Sequence, residues 1–294
     1  MEDGWNLTYS SYAFDKPKAV LVFLHGLGVT AEAYSLLAIG FARHGMLAIL
    51  PSLRCDPDAS TGIIDLVDMD RQTKDLVALV DEIKRQHPKL PIGIGAHSVG
   101  CSLVLRSLIL LESRVTSLFF IAPVWTGHPD YSRKNIFADW FIHITRHLHW
   151  PPSTIRRISA GAVAVRWSLF SMFAARWWPY RFSGMPMVSE RSAETGSSGN
   201  AKIRSYSCRH YSSYFCPDLE HLLRQSPTPM FFALPQKDEY SLTSAVATGL
   251  HWDRSIASTR IVVTCAKANH VTILRDCIAP LTQWAKVWLL NGAQ

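Results

Sequence analysis

Short apolar runs alternate with longer amphipathic stretches along the first 124 residues of the chain. The runs are as long as a strand and nearly free of polar residues, which is typical of strands buried on both faces of a sheet. The longer stretches repeat apolar residues at helical spacing, which is typical of helices that pack one face against a sheet. Four such strands separated by three helices predict a parallel sheet with helices on both faces. The predicted strands cover residues 18–25, 46–51, 91–95 and 115–122, and the predicted helices cover 31–44, 65–86 and the segment after Gly100.

This alternation stops at Pro123 and resumes at Thr228. Residues 125–225 contain helical pieces, aromatic residues and chain breakers, and no clear strand is apparent among them. The alternation after the interruption is typical of the same sheet continuing. The later predicted strands cover residues 228–234 and 259–265, and the later predicted helices cover 241–250 and 277–290.

The chain therefore reads as one large core with an insertion. Its 294 residues, 48% of them hydrophobic, are enough to bury a sizeable core. We predict an α/β fold with a mostly parallel central sheet and helices on both faces. In this prediction residues 1–124 and 226–294 form the two parts of the core, and residues 125–225 form an inserted helical cap or lid.

Positive charge is concentrated in this insertion. The chain carries a net charge of +7, and residues 130–224 hold 13 Lys and Arg against 6 Asp and Glu, which accounts for the whole excess. The same third of the chain holds five of the ten tryptophans. Basic and aromatic side chains together favour peripheral contact with anionic lipid or an amphipathic substrate. The alternative is a lid whose arginines are simply solvated. No nucleic-acid-binding motif accompanies the charge, so nucleic acid is not an expected partner.

The remaining compositional signals favour a cytoplasmic protein without a cofactor. The first ten residues have neither the basic nor the apolar region of a signal peptide. The six cysteines show no CxxC spacing, so no zinc site is indicated. Cys208 and Cys216 could pair in a secreted protein, but nothing else in the sequence argues for export. His143, His147 and His149 have near-helical spacing, but no carboxylate motif joins them, and no metal is expected. The sequence does not indicate an oligomeric state.

Residues 90–106, LPIGIGAHSVGCSLVLR, have the pattern of a nucleophile elbow. An apolar strand runs into a tight turn centred on Ser98, and helical spacing follows it directly. Such a turn needs small flanking residues because the strand and the helix nearly touch, and Ala96 and Gly100 meet that need. The alternative is an ordinary strand-to-helix turn in which the serine caps the helix.

A second glycine-flanked turn, His25-Gly26-Leu27-Gly28, ends the first predicted strand. Loops at the carboxyl ends of central strands carry one of the two backbone donors that bind an oxyanion in folds with a serine elbow. The candidate donors are the N–H groups of Leu27 and Val99. His25 and His97 are interpreted as packing and hydrogen-bonding residues behind the site. The alternative for this segment alone is a plain turn.

A serine hydroxyl needs a base within hydrogen-bond reach, and the base needs an acid that orients it. The sequence supplies candidates in the order serine, acid, histidine, each after a predicted strand. Asp238 follows the first strand after the insertion, and His270 follows the last strand. Glu239 is the rival acid and His251 the weaker rival base. We predict a catalytic triad of Ser98, Asp238 and His270.

With these motifs the chain resembles the α/β-hydrolase superfamily, within it the branch of monoacylglycerol lipases, lysophospholipases and serine aminopeptidases. The resemblance rests on HGLG at 25–28, AHSVG at 96–100, Asp238 and His270. It implies a serine nucleophile, an Asp–His pair and a cap that shapes an acyl or leaving-group pocket. Trp125, where the insertion begins, is the residue expected to contact substrate.

Two departures from that branch bear on the substrate. The branch usually carries Asp-x-x-Gly-His-Gly after the second predicted strand, whereas this chain has Ser-Leu-Arg-Cys-Asp-Pro at 52–57. The elbow also opens with Ala96 in place of glycine. The first departure loosens the assignment to any named substrate group, whereas the second is tolerable for the geometry of the turn.

The predicted activity is hydrolysis of a small acyl ester, such as a monoacylglycerol or lysophospholipid, through an acyl-enzyme. Amidase, aminopeptidase, thioesterase and acyltransferase activities with the same triad remain alternatives. A non-catalytic protein that binds a membrane surface is a further one, since a fold does not fix a function. Epoxide hydrolases and dehalogenases carry an aspartate where this chain has Ser98, which argues against both.

Overall fold

The apolar runs predicted from the sequence become the strands of one central sheet in a computed structural model of the chain. Helices occupy the amphipathic stretches between them. The structure describes residues 6–26, 29–54, 63–64, 69–125, 184–188, 203–207, 214, 216, 219–238, 241, 243–250 and 259–290.

The elements predicted from the sequence appear in the predicted order, with boundaries that shift by a few residues, and the structure adds strands that were not predicted. The strands are β1 Tyr9–Tyr12, β2 Ala19–Leu24, β3 Met46–Pro51, β4 Ile63–Ile64, β5 Ile92–His97, β6 Ser117–Ile121, β7 Gly184–Val188, β8 Ile203–Ser207, β9 Met230–Pro235 and β10 Arg260–Cys265. The helices are a 3-10 turn at Ala31–Tyr34, α1 Ser35–Ala42, α2 Met69–Gln86, α3 Gly100–Leu111, α4 Leu219–Gln225, α5 Thr243–Leu250, α6 Ile273–Asp276, α7 Ile278–Ala285 and a π-helical turn at Lys286–Leu290.

The central sheet has seven strands in the order β1-β3-β2-β5-β6-β9-β10. All neighbours run parallel except β1, which pairs antiparallel with β3. The carboxyl ends of β2, β5, β6, β9 and β10 therefore meet at one edge of the sheet. Because the loops after these strands share that edge, residues far apart in sequence are brought together there.

Strand β2 shows how the sheet is buried on both faces. Val20, Val22 and Leu24 pack into the core cluster that contains α2 and α3. Ala19, Leu21 and Phe23 pack into the cluster on the other face, with α1 and α7. Since successive side chains of a strand point to opposite faces, a continuous apolar run is what a doubly covered central strand requires.

The prediction that the insertion contains no strand is wrong. Gly184–Val188 and Ile203–Ser207 pair antiparallel, and β4 adds a parallel third strand to this small second sheet. Most of the predicted helical cap, from residue 126 onward, lies outside the described residues. Helix α4 is the helix of the insertion that the structure describes.

Within the described part of the chain, no helix is long and apolar enough to cross a membrane.

Helix α2 buries one polar side chain without a visible partner. Gln72 is 2% exposed on the inner face of this helix, beside the core residue Leu76. Among the described residues, neither its amide nitrogen nor its amide oxygen has a hydrogen-bond partner. An unpaired buried polar group carries its full desolvation cost, on the order of 1–3 kcal/mol.

Replacing Gln72 by leucine is therefore expected to stabilise the fold. Leucine has a similar volume and no polar atom to desolvate, so the free energy of unfolding should rise by about 1–3 kcal/mol. Urea unfolding monitored by circular dichroism measures this change. The matched control is Gln86→Leu at the exposed end of the same helix, which should change stability by less than about 0.5 kcal/mol. A Gln72→Leu protein less stable than the parent would show that the amide is engaged in solution.

Candidate active site

Ser98 lies at the tip of the sharp turn between β5 and α3. Its backbone has φ of +57°, in the left-handed region that residues with a Cβ atom rarely adopt. The strained turn is held from both sides. The Ser98 N–H donates to the carbonyl of Ile121 at 3.1 Å, and the Ser98 carbonyl accepts from the N–H of Val124 at 3.2 Å. The end of β6 thus fixes the backbone of the serine.

Close approach of the backbone explains why small residues flank the serine. A Cβ atom added to Gly100 would lie 2.7 Å from the backbone oxygen of His25, closer than such atoms come in proteins. A Cβ added to Gly26 would lie 3.0 Å from the Cβ of Ser98. Ala96 is fully buried beside the turn. The glycines of both turns are needed for the loop after β2 to touch the elbow.

Three side chains predicted from separate loops form one hydrogen-bonded series. Nε2 of His270 lies 2.9 Å from Oγ of Ser98. Nδ1 of the same ring lies 3.2 Å from Oδ2 of Asp238. Asp238 is 1% exposed and His270 is 6% exposed, so the pair is shielded from water. The arrangement allows the imidazole to take a proton from the serine hydroxyl while the carboxylate accepts from its other nitrogen.

The carboxylate of Asp238 is held by a residue that sequence reasoning missed. The backbone N–H of Ser241 donates to Oδ1 of Asp238 at 3.1 Å, and the Ser241 hydroxyl donates to the carbonyl of Pro123 at 2.9 Å. This leaves Oδ2 to face His270. No spacing in the sequence marks this contact, because the donor is a backbone N–H, which every residue except proline carries.

One of the two predicted oxyanion donors can be described. Val99 follows the nucleophile, is 3% exposed and stands at the start of α3. Its N–H has no acceptor among the described residues, so it is available to a ligand oxygen at the positive end of the helix dipole. Leu27, the other predicted donor, lies outside the described residues.

His25 joins the first loop to the loop after β3. Its Nδ1–H donates to the carbonyl of Gly26 at 2.8 Å, and its Nε2 accepts from the N–H of Leu53 at 3.4 Å. The next residue, Arg54, forms a buried bidentate ion pair with Asp75 of α2. Residues 52–57, which replace the Asp-x-x-Gly-His-Gly motif of the lipase and aminopeptidase branch, are therefore anchored at their first residues. Residues 55–62 are not described.

The sequence matches a known family over the part of the chain that carries the elbow. Residues 15–166, just over half of the chain, match the Hydrolase_4 family, described as serine aminopeptidase, S33. The chain belongs to this family. The match includes Ser98 and ends before Asp238 and His270, whose convergence is seen in the structure. No protein with curated annotation matches the S33-family chain in sequence.

Solved structures share the fold of this S33-family protein at low sequence identity. A variant of monoglyceride lipase from Saccharomyces cerevisiae, bound to a substrate analogue, has a TM-score of 0.66 at 11% identity and covers 96% of this chain and 91% of its own. DcsB bound to its substrate analogue has 0.61 at 15% identity, covering 95% and 93%. The monoacylglycerol lipase of Paleococcus ferrophilus has 0.58 at 11%, covering 99% and 100%. The predicted α/β-hydrolase fold is confirmed.

Of the other predicted site residues of this S33-family protein, the structure describes some and not others. Trp125 is 4% exposed and belongs to the core cluster on the α2 and α3 face, so its predicted contact with substrate stays a prediction. Glu239 and His251, the rival acid and base, lie outside the described residues. So do the three histidines considered for a metal site. Across the described ranges, no group of three or more His, Cys, Asp or Glu side chains could hold a metal ion.

His97 lies buried beside His270 as an uncharged ring. Burial, and to a lesser extent the neighbouring His270, lower its pKa to about 3. The ring centres of the two histidines are 4.8 Å apart. A proton on His97 would therefore be disfavoured by both desolvation and repulsion. His97 is therefore neutral near pH 7.

The buried neutral His97 is expected to make the fold acid-sensitive. Between about pH 6.5 and 3 the unfolded chain binds a proton at this residue and the folded chain does not, so stability rises with pH across that window. The slope contributed by one such group is at most about 1.4 kcal/mol per pH unit. Urea unfolding at a series of pH values should show a shallower acid loss in His97→Gln, which has no titrating group. Parallel curves for the two proteins would contradict this account.

Proposed function

We propose that the protein is a serine hydrolase that cleaves carboxylic esters through an acyl-enzyme on Ser98. The observation that carries the proposal is the buried series from Ser98 Oγ through His270 to Asp238, with contacts of 2.9 and 3.2 Å. Membership of a serine hydrolase family supports it. A neutral serine hydroxyl is a weak nucleophile, and this geometry supplies the adjacent base that it needs.

In the proposed acylation, Oγ of Ser98 attacks the acyl carbonyl carbon while Nε2 of His270 takes the hydroxyl proton. Asp238 keeps the other proton on Nδ1 and stabilises the imidazolium that forms. The N–H of Val99 donates to the oxyanion, with Leu27 as the proposed second donor. Each such donor contributes about 3 kcal/mol to transition-state stabilisation. The intermediate collapses, and His270 gives its proton to the departing alkoxide, which leaves as the alcohol.

In the proposed deacylation, a water molecule takes the place of the alcohol. His270 accepts a proton from this water as its oxygen attacks the acyl carbon, and the same oxyanion donors hold the second tetrahedral intermediate. Collapse breaks the bond to Oγ, and the proton held by His270 returns to the serine. The products are the carboxylic acid and the free enzyme.

For the substrate we propose an ester with a medium or long acyl chain, such as a monoacylglycerol or lysophospholipid. The basic and tryptophan-rich insertion supports this choice, because such a segment suits an amphipathic substrate or an anionic lipid surface. The same composition supports peripheral contact with a membrane. Two of the structural neighbours are lipases of monoglycerides, which is consistent with the proposal.

Hydrolysis of aminoacyl amides is the second candidate. It is favoured by the family description, which names a serine aminopeptidase. The triad can serve either reaction, because both proceed through an acyl-enzyme and an oxyanion. The difference would lie in the groups that contact the acyl and leaving parts of the substrate.

A substrate panel separates the two candidates. Nitrophenyl esters of increasing chain length and aminoacyl nitroanilides are compared by kcat/KM on the same preparation. The proposal predicts higher values on the esters, with an optimum above the shortest chain. A higher kcat/KM on the anilides would reject the proposed ester hydrolysis in favour of aminopeptidase activity. Inactivity on both, with no covalent labelling of Ser98, would favour a binding protein.

A further inference from the structure

We propose that Tyr34 and His97 form a positioning relay, which joins the loop that carries the base to the loop that leads to the oxyanion donor. The inference rests on the proposed hydrolase function and deepens it, since it assigns control of the same site to two buried residues. Both residues are buried. Tyr34 lies at the end of the 3-10 turn before α1, and His97 is the last residue of β5.

Three short hydrogen bonds make up the relay. The N–H of Gly26 donates to the hydroxyl oxygen of Tyr34 at 2.9 Å. That hydroxyl lies 2.8 Å from Nδ1 of His97. Nε2 of His97 lies 2.9 Å from the backbone carbonyl of His270. The series therefore connects the residue before Leu27 with the backbone of the base.

The chemistry of the groups fixes the direction of every bond. A carbonyl oxygen can only accept, so Nε2 of His97 carries a proton and donates to His270. A neutral imidazole then has no proton on Nδ1, which must accept from the Tyr34 hydroxyl. The oxygen of that hydroxyl is free to accept from Gly26. One arrangement satisfies all three contacts, which distinguishes a specified relay from a loose polar cluster.

Burial makes each bond costly to lose. Tyr34 is 2% exposed, His97 4% and His270 6%, so water cannot easily replace a missing partner. Gly26 is confined between the two ends of the site: an added Cβ would meet the Ser98 Cβ at 3.0 Å, His97 Nδ1 at 3.2 Å and the Tyr34 hydroxyl at 3.4 Å. A shift of the relay would therefore displace both the loop leading to Leu27 and the backbone of His270.

The test measures chemistry and binding separately in the full chain. Tyr34→Phe removes the hydroxyl and keeps the ring that packs against Phe23 and His97. The relay predicts that kcat on the best ester falls on the order of 10-fold to 100-fold, because the reacting groups are mispositioned, while KM stays within about twofold. The rate of phosphonylation by a fluorophosphonate should fall in parallel.

Matched variants separate positioning from packing. Tyr12→Phe removes the hydroxyl of a tyrosine whose side chain packs against the same core cluster, and it should leave kcat unchanged. His97→Gln keeps an amide N–H that can reach the His270 carbonyl, whereas His97→Leu has no hydrogen-bonding group. The relay predicts that His97→Gln retains several-fold more kcat than His97→Leu. Tyr34→Phe added to His97→Leu should lower kcat by less than about twofold, because coupled residues are not additive.

The outcomes decide between this relay and the alternatives. If folded Tyr34→Phe keeps the parent kcat, or loses activity through KM alone, the relay is rejected. Equal kcat for His97→Gln and His97→Leu at equal melting temperature also rejects it, and this second pair decides the question if Tyr34→Phe does not fold. A parent protein that neither turns over ester nor reacts with the fluorophosphonate refutes the proposed function instead, which keeps the two failures distinct.

Discussion

Replacing Ser98 by alanine is expected to abolish ester hydrolysis while leaving the fold intact. The change removes the one hydroxyl that lies 2.9 Å from Nε2 of His270. Loss of a triad nucleophile typically lowers kcat by about 10⁵-fold to 10⁶-fold. Alanine also keeps the backbone contacts of the elbow, which involve the N–H and carbonyl of residue 98. Initial rates on nitrophenyl esters, with circular dichroism to verify folding, measure the effect.

Ser107→Ala is the matched control for this variant. Ser107 lies on the same helix, is fully buried and donates its hydroxyl to the carbonyl of Leu103 at 2.8 Å. Its removal deletes the same atom without touching the site, so kcat/KM should stay within about twofold of the parent. An active Ser98→Ala protein, at more than about a hundredth of the parent rate, would show that another residue is the nucleophile.

Replacing Asp238 by asparagine is expected to lower kcat by about 10⁴-fold. The carboxylate has two acceptor oxygens in use, Oδ1 for the N–H of Ser241 and Oδ2 for Nδ1–H of His270. An asparagine offers a single acceptor oxygen. If that oxygen serves Ser241, the amide N–H₂ group faces His270 and forces the ring proton onto Nε2. The imidazole can then no longer accept the proton of Ser98.

Glu239→Gln is the control for the choice of acid, because this neighbour was the rival carboxylate in the sequence. The account predicts a kcat within a few-fold of the parent for Glu239→Gln. Steady-state assays on the same ester compare the kcat of the two variants at equal concentration of folded protein. A large loss with Glu239→Gln and a small one with Asp238→Asn would transfer the role of the acid to the neighbouring residue.

The sheet could be predicted because its central strands are continuous apolar runs, which by themselves indicate burial on both faces. In β2 every residue from Ala19 to Leu24 is apolar and every one is buried, so the strand signal does not depend on its neighbours. Strand β1 has the sequence Tyr-Ser-Ser-Tyr and lies at an edge, where half-exposed positions leave only a weak pattern. The two paired strands of the insertion were missed because Gly184 and Pro186 interrupt the first, and the second, Ile-Arg-Ser-Tyr-Ser, does not alternate apolar and polar residues.

The meeting of the three side chains could be predicted because they lie on loops that strand order brings together. Ser98, Asp238 and His270 each follow a parallel strand of one sheet, and the carboxyl ends of those strands share an edge. Tyr34 and Ser241 could not be found in this way. Their roles depend on where a hydroxyl or an N–H points in the folded chain, and no spacing in the sequence encodes the distance to His97 or to Asp238.

The central claim is that a buried Asp–His pair activates the hydroxyl of one serine. Reaction of the folded protein with a fluorophosphonate, followed by peptide mass spectrometry, tests this claim most directly. The account predicts one phosphonyl group per chain, carried by the peptide that contains Ser98, with labelling lost in Ser98→Ala and strongly slowed in Asp238→Asn. Absence of labelling in the folded parent protein, or a phosphonyl group on a different residue, would contradict it.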